Sequence, residues 1–238
     1  CDQFNSIHEH MVEALGNFNI EGRLHLASCK DSAEDEGTVR YIEECAVQAG
    51  LETSFLFMED VGIDADGRFA DMDDRVISTL FKLYPWEWLM QDDFATSIPN
   101  CGTTFIEPAW RAILSNKGLL PLLWEMFEGH PNLLPAYFAD DPRASNMTGG
   151  FVRKPLFSRE GANVEIVTPD GETLSVDGPY GAEGSIVQAL HPLPVFEGNH
   201  TVIGSWLVAS QPCGIAIRED DSPITKDSSR FLPHVILD

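Results

Sequence analysis

A strand, a helix and a second strand follow one another directly near the start of this chain, and that order constrains the fold more than any other feature. The segment RLHLAS (residues 23–28) alternates as a short strand does. EGTVRYIEECAVQAG (residues 36–50) sets Val39, Ile42 and Ala46 on one helical face and ends on Gly50, a stop signal. ETSFLFM (residues 52–58) is again strand-like. Two strands joined through a helix run parallel, so an α/β unit is expected here. A third strand is expected over residues 76–83, ahead of the aromatic run YPWEWL. An earlier helix is expected over residues 4–15, with Ile7, Met11 and Leu15 at helical spacing.

The texture changes near Pro99-Asn100-Cys101-Gly102. TTFIEP reads as extended. AWRAILSNKGLLPLLWEMF reads as two short helices interrupted around residues 116–118. From Phe151 the pattern is nearly all strand: residues 151–156, 164–168, 173–176, 185–190, 202–209 and 214–218, punctuated by Gly, Pro and Asp. The expected division is residues 1–100 as an α/β segment and residues 101–238 as a mainly antiparallel region. The acidic loop DADGRFADMDDR lacks the carboxylate spacing of a calcium loop.

Charge narrows the partners. The 238 residues carry 38 acids and 15 Lys+Arg, a net charge of −23. Such a surface repels nucleic acid and anionic membranes, so neither is an expected partner. No apolar run approaches the ~20 residues of a membrane span. The five cysteines, Cys1, Cys29, Cys45, Cys101 and Cys213, are scattered and form no Cys-x-x-Cys pair. That disfavours a zinc site or a disulfide framework, and a cytoplasmic location is the expectation. Residue 1 is Cys rather than Met and the chain enters directly into a helical pattern, so it reads as a piece whose upstream part is missing, with a simple renumbering as the equal alternative; no leader pattern is seen at its start.

Three places offer positive charge for a phosphate: Lys117 in SNKGLLP, Lys154 in RKPLFSREGANV, and Arg218 in GIAIREDD. Lys154 and Arg218 are each expected at the end of an apolar strand, where a charge projects into the mouth of a sheet. The loop after Lys154 contains Gly161 but is no Walker loop, since no helix follows it. On its own it reads as a charged hairpin tip before it reads as a phosphate loop. Lys117 alone reads as a solvated helix lysine. IVQALHPLP (residues 186–194) reads as a strand ending in a Pro-rich linker: either a plain strand and turn, or an extended hinge that can offer backbone groups to an adenine edge. His8 and His10 are two apart in a helix and share no face. No Ser-His-Asp or Cys-His arrangement is supported.

Taken together, FKLYPWEWL, EPAWRAILSNKGLLPLLWEMF, HPNLLPAYF, RKPLFSREGANV, GSWLV and GIAIREDDSPIT closely resemble the synthetase part of the glutathionylspermidine synthase family. The resemblance is nearest to members that carry the synthetase module without the amidase. It implies an α+β fold: an ATP-grasp with a partial α/β pre-ATP-grasp-like segment, the N-terminal part of the family fold missing. It implies ATP held by Lys117 and Lys154, with Glu160 and Gly161 in the loop over the phosphates. Gln188, Ala189, Leu190 and His191 match the hinge beside adenine. Arg218 matches an arginine near the transferred phosphate, and Arg159 a loop arginine at the reaction centre. The implied activity is ATP-dependent amide formation between a carboxylate and an amine through an acyl phosphate. The implied substrates are a small-molecule acid and amine, such as a peptide like glutathione and a polyamine. An ATP-binding module without turnover is the alternative.

The match also departs from the family. Its Mg²⁺ ligands, an Asp and a Glu-x-Asn, are expected upstream of this chain. Glu197-Gly198-Asn199 falls in a hairpin turn instead, so no metal ligand is assigned here. The piece alone is therefore expected to bind ATP weakly and catalyse little. Glu34 and Asp35 match an acidic pair that meets the polyamine, although acids also favour the first turn of a helix. Arg230 stands where the bifunctional enzymes carry an acid, which argues against spermidine in the same pose.

Overall fold

The computed structural model describes residues 5–235, so Cys1 and the Phe4 end of the first expected helix lie outside the described residues. Chain contacts divide these residues into two units. One comprises residues 5–112 with 206–214, the other residues 113–205 with 215–235.

The first unit contains α1 (Ile7–Gly16), β1 (Arg23–Ser28), α2 (Ala33–Gln48), β2 (Glu52–Phe57), β3 (Gly62–Ile63), β4 (Phe69–Ala70), β5 (Thr79–Lys82), α3 (Trp86–Leu89) and β6 (Thr104–Ile106). Its main sheet has the order β2-β1-β5-β6, and all three pairings are parallel. The strand period divides β1 between two cores. Leu24 and Leu26 pack with Leu15 of α1 and with Val39, Cys45 and Ala46 of α2. Ala27 packs on the other side with Leu56, Val61, Phe69, Ile77, Leu80 and Cys101. A strand covered on both faces belongs inside a parallel sheet, and β1 is buried from Leu24 to Ser28.

α2 starts at Ala33, ahead of the expected residue 36, because Ser32 caps it. The Asp35 N–H donates to Ser32 Oγ at 3.1 Å. Apolar periodicity could not show this polar first turn, which holds Glu34, Asp35 and Glu36. The acidic loop is internally satisfied: Asp64 Oδ1 accepts from the Asp66 and Arg68 N–H groups, each at 2.9 Å. Asp71 Oδ1 repeats the arrangement with Asp73 and Arg75. Trp86 is buried and meets Phe105 edge-on at 5.0 Å, whereas Trp88 is exposed. Residues 206–214 join this unit where the Ser6 N–H donates to Cys213 O at 2.7 Å.

The second unit follows from α4 (Ala112–Ser115), which begins at the boundary, through α5 (Leu119–Met126) and β7 (Ala136–Phe138). Next come β8 (Phe151–Pro155), β9 (Glu165–Val167), β10 (Thr173–Ser175) and β11 (Ser185–Ala189). The chain ends in β12 (Val195–Phe196), β13 (Asn199–Val208), β14 (Gln211–Asp220) and β15 (Arg230–Leu232). One sheet has the order β10-β9-β8-β11-β7, the other β12-β13-β14-β15. Every strand pairing described in both is antiparallel. Glu197 and Gly198 have φ of 49° and 86°, the left-handed pair that a two-residue hairpin requires between β12 and β13. Glu197-Gly198-Asn199 is thus a turn, as its composition indicates. Among the described residues, no helix is long and apolar enough to cross a membrane.

Candidate functional site

Antiparallel register sets the site. β8 and β11 pair Lys154 with Ile186 and Val152 with Gln188. Residues opposite one another share a face, so Lys154, Val152, Ile186 and Gln188 lie on one side of the sheet. Ile186 is fully buried there, and Ile166 across from Val152 is buried as well. Lys154 is therefore not simply projected into the mouth of the sheet as expected. Its stem runs over an apolar face and its amine ends on Gln188, donating to Oε1 at 2.8 Å. Burial lowers the Lys154 pKa below the usual 10.5, and the nearby positive charge of Lys117 lowers it further.

Lys117 reaches this place from the break between α4 and α5. Its N–H donates to Leu156 O at 2.9 Å, and its Nζ donates to Ser158 O at 2.6 Å. The break is built by Asn116, whose Oδ1 accepts from the Gly118 N–H at 2.8 Å. A Cβ at Gly118 would stand 3.3 Å from the Phe138 ring and 3.4 Å from Leu156 Cδ2, so a small residue suits the approach. Two cations from distant segments thus converge beside the loop that follows β8.

That loop, residues 156–164, turns through left-handed backbone at Glu160 (φ 54°), Gly161 (φ 76°) and Asn163 (φ 55°). Gly161 is required twice over. Its φ disfavours a side chain, and a Cβ would lie 2.6 Å from Thr225 O. Arg159 and Glu160 are exposed on the loop.

Gln188 was singled out only as part of an adenine hinge; its side chain is also the partner of Lys154. The Ala189 N–H donates to Pro135 O at 2.8 Å and the Leu190 N–H to Gly150 O at 3.2 Å, so both are spent within the sheet. β11 ends at Ala189, one residue before expected. His191 is exposed, its Nδ1 3.1 Å from Pro192 O.

Arg218 does not end its strand, because β14 continues to Asp220 and pairs there with β15. Its Nη2 donates to Lys226 O at 2.6 Å and to Asp227 O at 3.2 Å. The guanidinium carbon sits 4.7 Å from the Phe231 ring centroid, a cation–π distance. Nε is buried and has no partner among the described residues. Residues 220–225 lie in the block GIAIREDDSPIT that carries the resemblance, but a turn that holds Arg218 is not read there; the Asp and Ser residues that follow the arginine are the signal for it.

Glu34 and Asp35 belong to the first unit, in the first turn of α2. Among the described residues, one group of side chains could gather round a metal: Cys29, Asp31 and Glu59, with ligand atoms within 4.8 Å of one another. Burial, with Glu59 and Asp31 adding to it, pushes the Cys29 thiol up to about 11. A protonated sulfur beside two carboxylates does not suit Mg²⁺, which takes oxygen ligands. That cluster therefore does not fit the magnesium that the resemblance implies, and no other group of three or more such side chains gathers among the described residues.

Comparison with known proteins finds relatives over nearly the whole chain. The glutathionylspermidine synthase pre-ATP-grasp family matches residues 1–237. A putative acid–amine ligase of Haemophilus influenzae is 40% identical, over 98% of this chain and 62% of its own length. Trypanothione synthetase of Crithidia fasciculata is 28% identical, over 95% of this chain and 38% of its own. The bifunctional glutathionylspermidine synthetase/amidase of Escherichia coli is 27% identical, over 90% of this chain and 38% of its own. The chain thus spans between about two fifths and three fifths of these relatives. With the family matching almost end to end, the chain belongs to the glutathionylspermidine synthase family.

Proposed function

We propose that this chain carries the phosphate-handling part of an ATP-dependent acid–amine ligase with an ATP-grasp nucleotide site. The observation that carries the reading is the Lys154–Lys117 pair: the Lys154 amine ends on Gln188 Oε1 over a buried face, and the Lys117 amine reaches Ser158 O in the loop directly after β8. Holding two cations together costs free energy that an anion between them repays. The buried Arg218 Nε, without a partner among the described residues, supports the same reading, since it is a donor with room for a further acceptor.

In this reading Lys117 and Lys154 bind phosphate oxygens, and Gln188 orients the Lys154 amine. Glu160 and Gly161 belong to the loop that closes over the phosphates and keeps out water, with Arg159 at its tip. Arg218 stabilises charge on the transferred phosphoryl group. Residues 188–191 border the adenine. ATP supplies the phosphoryl group: a substrate carboxylate oxygen displaces ADP to form an acyl phosphate, and an amine then displaces phosphate to leave the amide. Glu34 and Asp35 in α2 supply negative charge for a cationic amine, in keeping with the polyamine-linked names of the relatives. No step is assigned to magnesium.

Calorimetry of the full-length protein with a non-hydrolysable ATP analogue tests the reading. Lys154→Ala is expected to weaken binding about tenfold to a hundredfold, the worth of a charge-assisted hydrogen bond. Absent binding, or binding indifferent to Lys154→Ala, overturns it. Intact binding without phosphate release, whatever acid and amine are offered, would instead indicate an ATP-binding module without turnover.

A further inference from the structure

The stretch after β14 is a closed ring of hydrogen bonds with two outputs. Asp220, the last residue of β14, is 6% exposed. Its Oδ1 accepts from the Ser222 N–H at 2.9 Å, and its Oδ2 accepts from Ser229 Oγ at 2.6 Å. Lys226 Nζ lies 3.4 Å from Oδ1. Ser229, itself 5% exposed, closes the ring. Its Oγ accepts from the Lys226 N–H at 2.8 Å, and its own N–H donates to Lys226 O at 3.1 Å. The Ser229 hydroxyl and the Ser222 N–H hold the Asp220 carboxyl well below the usual carboxylate range, so it serves as a fixed ionised acceptor.

The first output is Arg218, whose Nη2 is held by the carbonyls of Lys226 and Asp227. The second is the loop after β8. Gly161 sits so close to this ring that a Cβ would lie 2.6 Å from Thr225 O and 2.7 Å from Ile224 Cγ2. Ile224 is 4% exposed, so the seat under Gly161 is itself packed. A turn that merely joined β14 to β15 would need neither contact. One ring sets both the arginine and the loop that the proposed ATP site uses.

We propose that Asp220, acting through Ser229, is a positioning residue: it fixes residues 221–229 so that Arg218 and the Gly161 loop are set together. Its catalytic consequence rests on the ligase reading; the coupling of the two loops does not. Ser229→Ala is the informative variant, because it removes the two hydroxyl hydrogen bonds, to Asp220 Oδ2 and from the Lys226 N–H, while leaving the Asp220–Lys226 charge pair that Asp220→Ala would break. Ser229→Thr restores the hydroxyl.

Two measurements on the full-length protein test this. Amide exchange by mass spectrometry should quicken in Ser229→Ala both at residues 221–229 and at residues 158–164, and Ser229→Thr should reverse it. Quickening confined to residues 221–229 overturns the coupling. In steady-state assays of phosphate release, Ser229→Ala should lower kcat about tenfold to a hundredfold, with KM for ATP moving less than about threefold. Unchanged kcat, or no recovery in Ser229→Thr, overturns the positioning role. If the wild-type protein releases no phosphate, the ligase reading fails and exchange alone decides the coupling.

Discussion

Lys82 shows how one buried side chain can make stability depend on alkaline pH. It is 8% exposed, stands 4.0 Å from the Trp86 ring centroid and donates to Tyr84 O at 2.7 Å. Burial pushes its pKa from 10.5 down to about 8, against the pull of Glu87 and Glu107. A lysine depressed in the folded state binds fewer protons there than in the unfolded chain between those two values. Stability therefore rises with pH from about 8 to 10.5 on account of this residue, and does not change with it below that window. Two neighbours act in the opposite sense. Burial, with Glu59 and Asp31 behind it, raises Cys29 to about 11, and burial with Asp92 raises Tyr84 to about 12. Each stays protonated in the fold after it would ionise in the unfolded chain, so each costs stability as pH climbs. Comparison with Lys82→Met isolates the lysine. In urea unfolding, the wild type should gain on Lys82→Met by on the order of 3 kcal/mol across that window. Parallel pH profiles would show that the lysine is not responsible.

At the scale of elements, legibility followed the strength of the local signal. β1 and β2 were readable to within a residue, because a strand, a capped helix and a strand leave few alternatives. The break between α4 and α5 was readable from Asn116 to Gly118, where Asn and Gly favour a turn over a helix interior. β7 and β15 escaped notice: with three residues each, they owe their extension to the strands beside them, β11 and β14, rather than to any alternation of their own. In the proposed site, Lys117, Lys154 and Arg218 stand out in sequence as positive residues beside apolar runs, but only the family resemblance points them at a nucleotide. The side-chain partnership of Gln188 was not legible, because it depends on antiparallel register between segments far apart in sequence. Ser32 gives this scale its test. It accepts from the Asp35 N–H at the start of α2. Ser32→Ala is expected to cost about 1 kcal/mol, or roughly 2–4 °C in Tm. A thermal scan that superposes on the wild type would mean that another group takes over the cap.

For the whole molecule, the discontinuous first unit matters most. Residues 206–214, at the tip of the β13–β14 hairpin, group with residues 5–112 although the rest of that hairpin belongs to the other unit. The tie is specific: the Ser6 N–H donates to Cys213 O just before α1, and Asn5 bridges Gly214. Replacing residues 206–213 with a two-residue Asn-Gly turn should leave β8 and β11 intact and loosen α1. Limited digestion with a Glu-specific protease should then cut sooner after Glu9 and Glu13. Unchanged cutting there would show that α1 is held by α2 and β1 alone.

That same tip bears on how such a chain can change over generations. A recombination that exchanged everything up to residue 112 would leave the incoming unit leaning on a strap shaped for its predecessor. One that exchanged the remainder would bring a foreign strap to the old unit. Neither half can be traded cleanly, so the two are expected to be inherited as a pair, with changes at residues 5–6 matched by changes at residues 213–214.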